Sequence, residues 1–512
     1  MQIIRGKVHI PNSLENYNKI QAMGVKTKYD KPTDSYVLFA TPQNIELINN
    51  HFETSLSTTP QTFKFKTKPW KHQLDAIKAS NEREGFAYFM EQGTGKTKVI
   101  IDEVCILAQK AKVHSVLIIC PKSLMGVWEK EIRTHAFIED FSIDRWKKPS
   151  KEKGKFTWNI INIDAVISCK GYDWAEARVN DKCFMVVDES TSIKNVQARR
   201  TKSTLALSQL AGYRRILSGT PIANNPLDLY SQMLFLDRWF WNGKSFYSFR
   251  NKYGIMGGYQ GKEVIGFKDQ EDLTNIISES SFRVVKDQVL DIPPKVYQKR
   301  LIALPPKAKT KYNEIVKEDK EAKQEEDPKK RFHNAMAAMI KCHQVCGGFL
   351  DGEAIHDAKL KELDAILEQI GHRKILIWCK YKAEIKAIEK RLKPIYNVMT
   401  FFGETKTTDR ENAIESFENG TTQVLILQYQ AGGVGLTLNA ASYSVYYSGS
   451  YSYMERTQSE DRCHRGGQTK SVTYIDFICP ATVDERVKYA LGKKKNLADF
   501  VMENLKQDES IF

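Results

Sequence analysis

The stretch MEQGTGKT (90–97) ends one strand-like apolar run, and VVDESTSIKN (186–195) ends another. Together they read as a nucleoside-triphosphate site. Gly93 and Gly95 let the backbone turn tightly enough for its N–H groups, that of Thr94 included, to surround a phosphate. Lys96 is placed to reach the β- and γ-phosphates, and the Thr97 hydroxyl is a Mg²⁺ ligand. Asp188 and Glu189 follow the apolar run CFMVV, where Asp188 would hold Mg²⁺ and Glu189 would orient the attacking water. Met90 stands where the full G-x-x-x-x-G-K-T pattern has its first glycine. By itself the loop therefore also fits a glycine turn before an ordinary helix, and an acidic pair after a strand also fits a helix cap. The order of the further motifs separates these readings.

At 512 residues the chain has room for two or three domains, each with its own core. With 41% hydrophobic and 27% charged residues, it has the balance of a globular protein. Lys+Arg 77 against Asp+Glu 62 leaves +15, which favours a polyanionic partner. No apolar run approaches the ~18–20 residues that span a bilayer. MQIIRGKVHI lacks a signal-peptide layout, so no membrane role and a cytoplasmic setting are expected. The nine cysteines form no C-x-x-C pair and fit reduced core thiols better than a zinc site.

Residues 1–60 read as a small α/β unit that could contact nucleic acid. QIIRGKVHI alternates like a strand, Ser13 is placed to cap a helix through Met23, and VKTKY and SYVLFA flank a turn. Residues 61–290 then alternate amphipathic helices with the apolar runs GFAYFM, SVLIIC, NIINI, CFMVV and RRILS. Residues 351–512 do the same with KILIW, NVMTF, QVLIL, YSVYY and VTYIDFI. Short, continuous β-rich runs between helices imply parallel sheets covered on both faces, hence an α/β fold with two lobes of similar size. Residues 291–350 bridge them, with a mixed-charge helix expected to face solvent and then an apolar helix.

At this point the chain resembles the Swi/Snf-like ATPases of helicase superfamily 2, in a compact bacterial or phage-like form. The resemblance covers about residues 68–495. It rests on LSGTPIANNPLDLYSQMLFL (217–236), RVVKDQVLDIPPK (283–295) and QSEDRCHRGGQ (458–468), in that order after the acidic pair. It implies two tandem RecA-like lobes with ATP and Mg²⁺ in the cleft between them, and a probe of adenine by Gln73 ahead of the phosphate loop. If 454–465 is helical, Gln458, Arg462 and Arg465 share one face, and two guanidiniums there suit a γ-phosphate. The same arginines could instead pair with Glu460 and Asp461 on a surface helix.

Nucleic-acid contacts are expected from loops at the carboxyl ends of strands. These supply Lys122 and Ser123, then Gly403, Thr405 and Arg410, then Gly432 and Gly433 in AGGVGLTL. Two departures from the family pattern stand out. Thr191 occupies the place where a histidine is frequent, and Gln428-Tyr429-Gln430 replaces a Ser-Thr-basic sequence. Neither touches Lys96, Asp188, Glu189, Arg462 or Arg465. The resemblance implies a monomeric DNA-dependent ATPase, a translocase or helicase on duplex or branched DNA that remodels forks or recombination intermediates. A motor directed at RNA or RNA polymerase, and a nucleic-acid-binding scaffold without turnover, are the alternatives.

Overall fold

Continuous runs of β-branched and aromatic residues form the two large sheets. The computed structural model describes residues 1–492 apart from 5–6, 26, 32, 40–41, 53–62, 81, 152, 220, 223–225, 258–262, 291, 323–327, 406, 433–437 and 467. The chain divides into two compact units, Met1–Val289 and Leu290–Phe512.

The first unit begins with a four-stranded antiparallel sheet of β1 (Gln2–Ile4), β2 (Lys7–Pro11), β3 (Lys28–Asp30) and β4 (Ser35–Phe39), in the order β1-β2-β4-β3. The single strand expected over QIIRGKVHI is in fact two. Ile3 lies opposite Val8, so the alternation belongs to strands that pair with each other. The Ser13 side chain accepts the Asn16 N–H and caps the helix Leu14–Met23, and Gly24 at φ +65° ends it. That helix and Pro42–Phe52 cover Val8, Ile10 and Leu38 with Ile20 and Ile48.

The large sheet of this unit contains β5 (Gly85–Met90), β6 (Ser115–Cys120), β7 (Phe141–Arg145), β8 (Phe156–Asn162), β9 (Cys183–Asp188) and β10 (Tyr213–Leu217). A two-stranded ribbon follows, β11 (Gly254–Gly257) and β12 (Glu263–Phe267), and β13 (Ser281–Val284) completes the sheet. The order is β13-β5-β10-β9-β6-β8-β7, with every pair parallel. Every residue of β9 is buried, as a central strand covered by helices on both faces requires. Inside this lobe the Arg215 guanidinium, fully buried, forks onto Glu103, whose carboxylate also accepts from Tyr88 and Ser80.

The second unit holds β14 (Val296–Leu301), a short hairpin of β15 (Phe349–Leu350) and β16 (Glu353–Ala354), then β17 (Ile375–Cys379), β18 (Val398–Phe401), β19 (Val424–Gln428), β20 (Tyr443–Tyr446) and β21 (Thr473–Ile478). Its six-stranded sheet runs β14-β21-β20-β17-β19-β18, also parallel throughout. The helices Pro306–Ala322 and Pro328–Gly347 pack together. The first does not simply face solvent. Ala308, Tyr312 and Ile315, spaced for one helix face, are buried with Met339, Cys342, Val345 and Cys346. Among the described residues no helix is long and apolar enough to cross a membrane.

Candidate functional site

The phosphate loop occupies the turn from β5 into the helix Lys96–Gln109. Gly93 (φ +85°) and Gly95 (φ +81°) take left-handed backbone conformations that side chains disfavour. Gly95 is doubly constrained, because a Cβ there would lie 2.1 Å from Gln73 Nε2. Thr94 is buried, and its hydroxyl donates to the Glu91 carbonyl at 2.7 Å. Lys96 opens the helix, and its Nζ donates to the carbonyls of Met90 (2.7 Å) and Glu91 (3.3 Å), within the curve of the loop. Thr97 follows it, half-buried in the first turn.

Gln73 supports this loop directly. Its Oε1 accepts the Trp70 N–H (2.9 Å), and its Nε2 donates to the Thr94 carbonyl (3.3 Å) beside His72 Nε2 (2.8 Å). At 2% exposure, Gln73 spends one donor and one acceptor on the chain itself, leaving the second of each for any adenine edge.

The acidic pair closes β9, separated from β5 by β10. Asp188 accepts from Trp128 Nε1 (2.9 Å) on one oxygen and from the Glu189 N–H (2.9 Å) on the other. Burial, and next the Glu189 carboxylate, push Asp188 up to about 6, against the Trp128 N–H and the Lys96 charge. Glu189 itself sits at φ +51°, an uncommon conformation for a non-glycine residue. Ser190 donates to Gln232 Oε1 (2.6 Å), and Gln232 Nε2 reaches the Pro221 and Asp228 carbonyls (both 2.8 Å). Ser231 donates to the carbonyls of Ile193 (2.6 Å) and Lys194 (2.8 Å). The segment after β10 is thus bonded to the chain immediately after the acidic pair. Gly219 lies against the loop as well, since a Cβ there would meet Gln92 N at 3.3 Å. On the other flank β13 pairs with β5, and the Lys286 N–H donates to Glu91 Oε2 (2.9 Å). Of the expected site residues, this unit gathers Gln73, Gly93, Thr94, Gly95, Lys96, Thr97, Asp188 and Glu189 around neighbouring strands. Trp128, Gln232, His72 and Glu91 complete the arrangement. Gln232 falls inside the quoted 217–236 segment, whereas nothing local singles out Trp128.

In the second unit the helix expected over 454–465 stops at Glu460. Ser459, Glu460, Asp461, Arg462, Cys463 and His464 are buried in succession, which one stripe of a helix cannot achieve. Gln458 therefore lies on the helix, whereas Arg462 and Arg465 lie in the irregular chain after it. Arg462 is 1% exposed and its Nε donates to the Gln458 carbonyl (3.0 Å). Glu460 pairs with Arg456 Nε (2.7 Å) and Lys295 (2.9 Å). Burial would raise its pKa, but Arg456 and Lys295 take it down to about 2.

The loop candidates fare unevenly. Lys122 and Ser123 are exposed in a single 3₁₀ turn just past β6. Gly403 is exposed past β18, its N–H 3.5 Å from Gln428 Oε1. Arg410 braces this loop, donating to the Thr405 (2.9 Å), Phe402 (2.9 Å) and Gly403 (3.2 Å) carbonyls, while Thr405 Oγ1 accepts the Phe402 N–H. Arg410 and Thr405 thus shape the loop from within. Gly432 ends a short helix, Tyr429–Gly432, and Gly433 falls outside the described residues. Among the described residues, Cys346, Cys479 and Asp484 are the one group of such donors close enough to share a metal, but Lys359 Nζ already bonds Asp484 at 2.8 Å.

A phosphate loop and an acidic pair ending neighbouring parallel strands, bonded to a shared segment after the strand between, match a family description. The SNF2-related domain matches residues 76–348, and the helicase conserved C-terminal domain matches 358–467. The chain belongs to the SNF2-related family. An "uncharacterized ATP-dependent helicase" of Mycoplasma pneumoniae is 26% identical over 96% of this chain and 46% of that protein. The DNA annealing helicase and endonuclease ZRANB3 of Mus musculus is 25% identical over 91% of this chain and 43% of that protein. The SWI2/SNF2 ATPase core of Sulfolobus solfataricus in complex with dsDNA aligns with a TM-score of 0.42 at 21% identity, over 88% of this chain and 96% of that one. The chain spans less than half the length of the two curated relatives named.

Proposed function

We propose that this chain is a DNA-dependent ATPase that moves along duplex or branched DNA and remodels what it meets. The observation that carries the proposal is the joining of Ser190, directly after the acidic pair, to Gln232 on the segment that follows β10. Through it, a change at Glu189 is felt in a helix outside the nucleotide pocket, which a motor needs and a passive scaffold does not.

The residues present fit ATP and Mg²⁺. Hard carboxylate and hydroxyl oxygens from Asp188 and Thr97 would hold the metal, which would neutralise developing phosphate charge. The loop N–H groups of Gly93–Thr97 and Lys96 Nζ bind and orient the phosphates. Glu189 positions the attacking water. Arg462 and Arg465 would add positive charge at the phosphoryl group, and Gln458 would orient them. Lys122, Ser123 and Gly403, exposed at the ends of β6 and β18, would follow a phosphate backbone without reading sequence. The excess charge of +15 supports a polyanionic track. We assign 61–290 and 351–512 as the two motor lobes, 291–350 as the bridge, and 1–60 as an accessory nucleic-acid contact. The bacterial relative supports a monomer working in the cytoplasm of a bacterial or phage-infected cell.

ATP turnover measured with no nucleic acid, with duplex DNA and with RNA tests the proposal. Stimulation by duplex irrespective of sequence supports it. Stronger stimulation by RNA would move the protein to the RNA-directed reading, and no turnover under any condition would leave only the scaffold.

A further inference from the structure

We propose that the two-stranded ribbon β11–β12 is a wedge that inserts apolar side chains between the bases at the end or fork of a DNA duplex. The inference rests on the motor reading above and adds strand separation to it.

The ribbon has two unlike faces. Val264 and Phe267 pack onto the core of the first unit, and the ribbon follows directly from buried Tyr253. The other face carries Ile255 at 43% and Ile265 at 63% exposure. A β-bulge puts them there together. The register passes from Met256↔Val264 to Ile255↔Gly266, so Ile265 is the extra residue. Each isoleucine then lies over a glycine. A Cβ on Gly257 would come 2.5 Å from Ile265 Cδ1, and one on Gly266 would come 3.3 Å from Ile255 Cδ1. The result is a flat apolar blade with no neighbouring side chain to shield it. Branched aliphatic side chains of this kind unstack bases when they enter a duplex.

Charge selects the occupant. Residues 237–268 hold six basic residues (Arg238, Lys244, Arg250, Lys252, Lys262, Lys268) and two acidic ones (Asp237, Glu263), 6 − 2 = +4 within the chain's +15. Two exposed aromatics in the same segment carry arginines over their rings, Arg238 on Trp239 (5.0 Å) and Arg250 on Tyr247 (5.2 Å). An apolar blade in a basic, aromatic-studded surround suits unpaired bases and their phosphates.

The blade is also rigidly rooted. Ser190 bonds Gln232, and Ser231 bonds Ile193 and Lys194. Tyr230 in the same helix packs on Trp241 (6.2 Å) and Phe249 (5.2 Å), and Phe249 packs on Tyr253 (4.8 Å), the residue before β11. A ribbon alone is marginal; this one stands on the strand that carries the acidic pair.

The test compares the full chain with Ile255→Ser/Ile265→Ser and with Ile255→Leu/Ile265→Leu. The DNA is a forked duplex with 2-aminopurine at the junction, and a gel assay follows strand release. Melting temperature confirms folding, which exposed isoleucines should not disturb. The wild-type chain should raise 2-aminopurine fluorescence on binding and release strands with ATP. The serine variant should keep duplex-stimulated ATP turnover within about twofold yet lose roughly tenfold or more of strand release and most of the fluorescence change. The leucine variant should retain both. Equal strand release by the serine variant overturns the wedge, as does a wild-type chain that hydrolyses ATP on DNA without unstacking or separating it. A concentration-dependent dimer abolished by the serine pair overturns it in favour of a second copy. Absence of any DNA-stimulated turnover is a different result, and removes the motor reading itself.

Discussion

Trp128→Phe removes one hydrogen bond and leaves the ring body in place, which makes it a sharp probe of Asp188. The indole N–H donates to Asp188 Oδ2 at 2.9 Å in a buried setting. A hydrogen bond to a charged group contributes about 1.5–3 kcal/mol, and one pKa unit corresponds to about 1.4 kcal/mol. Asp188, already pushed up to about 6 by burial and by Glu189, should therefore rise to between roughly 7 and 8 in the variant. At pH 7 the wild-type carboxylate is about nine-tenths ionised, and the variant between roughly a tenth and a half. Since the metal binds the ionised form, Mg²⁺ activation at pH 7 should weaken about two- to tenfold and recover by about pH 9. Mg²⁺ titrations of ATP turnover at several pH values between 6 and 9 measure this. Identical Mg²⁺ dependence of variant and wild type at every pH would refute the assignment of Asp188 as a metal ligand tuned by Trp128. The linkage has a definite sign. Because the folded pKa of Asp188 is raised, the folded state holds an extra proton between the ordinary carboxylate range and about 6, and stability falls as pH rises through that window. Mg²⁺ offsets that cost, so it should raise the melting temperature more at pH 7.5 than at pH 5.

Arg215→Met should destabilise the first unit by about 3–5 kcal/mol, because it strands the buried Glu103 carboxylate; thermal melting reads this, and Arg215→Met/Glu103→Leu should recover much of the loss. Arg465→Ala should lower kcat far more than it weakens DNA binding, with an arginine at a phosphoryl group contributing roughly 10³–10⁵ in rate; the reverse pattern would place it on the DNA track. DNA affinity should fall linearly in log K against log salt as counterions are released. Removing residues 1–60 should leave duplex-stimulated turnover largely intact while reducing activity on forks, and an unchanged fork activity in a stable truncated chain would end the accessory-contact proposal.

The central strands were legible because burial on both faces forces continuous apolar runs. GFAYFM, SVLIIC and CFMVV correspond to β5, β6 and β9 residue for residue, save that Asp188 also closes β9. The edge strands were not. FSIDR, SFRV and VYQKRL (β7, β13, β14) have one side open, and five of the six residues of β14 are exposed, so no apolar run marks them. The phosphate loop was legible because glycine at positive φ and a following lysine leave a local signature. Arg462 and Arg465 were misplaced onto a helix because spacing alone cannot show that six consecutive residues are buried. The tasks of Arg410, which braces its loop, and Gln73, which supports the phosphate loop, depend on carbonyls that only the folded chain brings near. Trp128 meets Asp188 across sixty intervening positions, with no pattern to announce it.

The central claim is that Glu189, set beside Asp188 at the end of β9, activates water for hydrolysis of a nucleotide held by the loop at Lys96. Single-turnover ATP hydrolysis by Glu189→Gln in the presence of duplex DNA, with ATP binding followed in the same samples, tests it most directly. The account predicts that hydrolysis is abolished while Mg²⁺-ATP still binds, because Thr97 and Asp188 are untouched. Hydrolysis at near wild-type rate by this variant would contradict it.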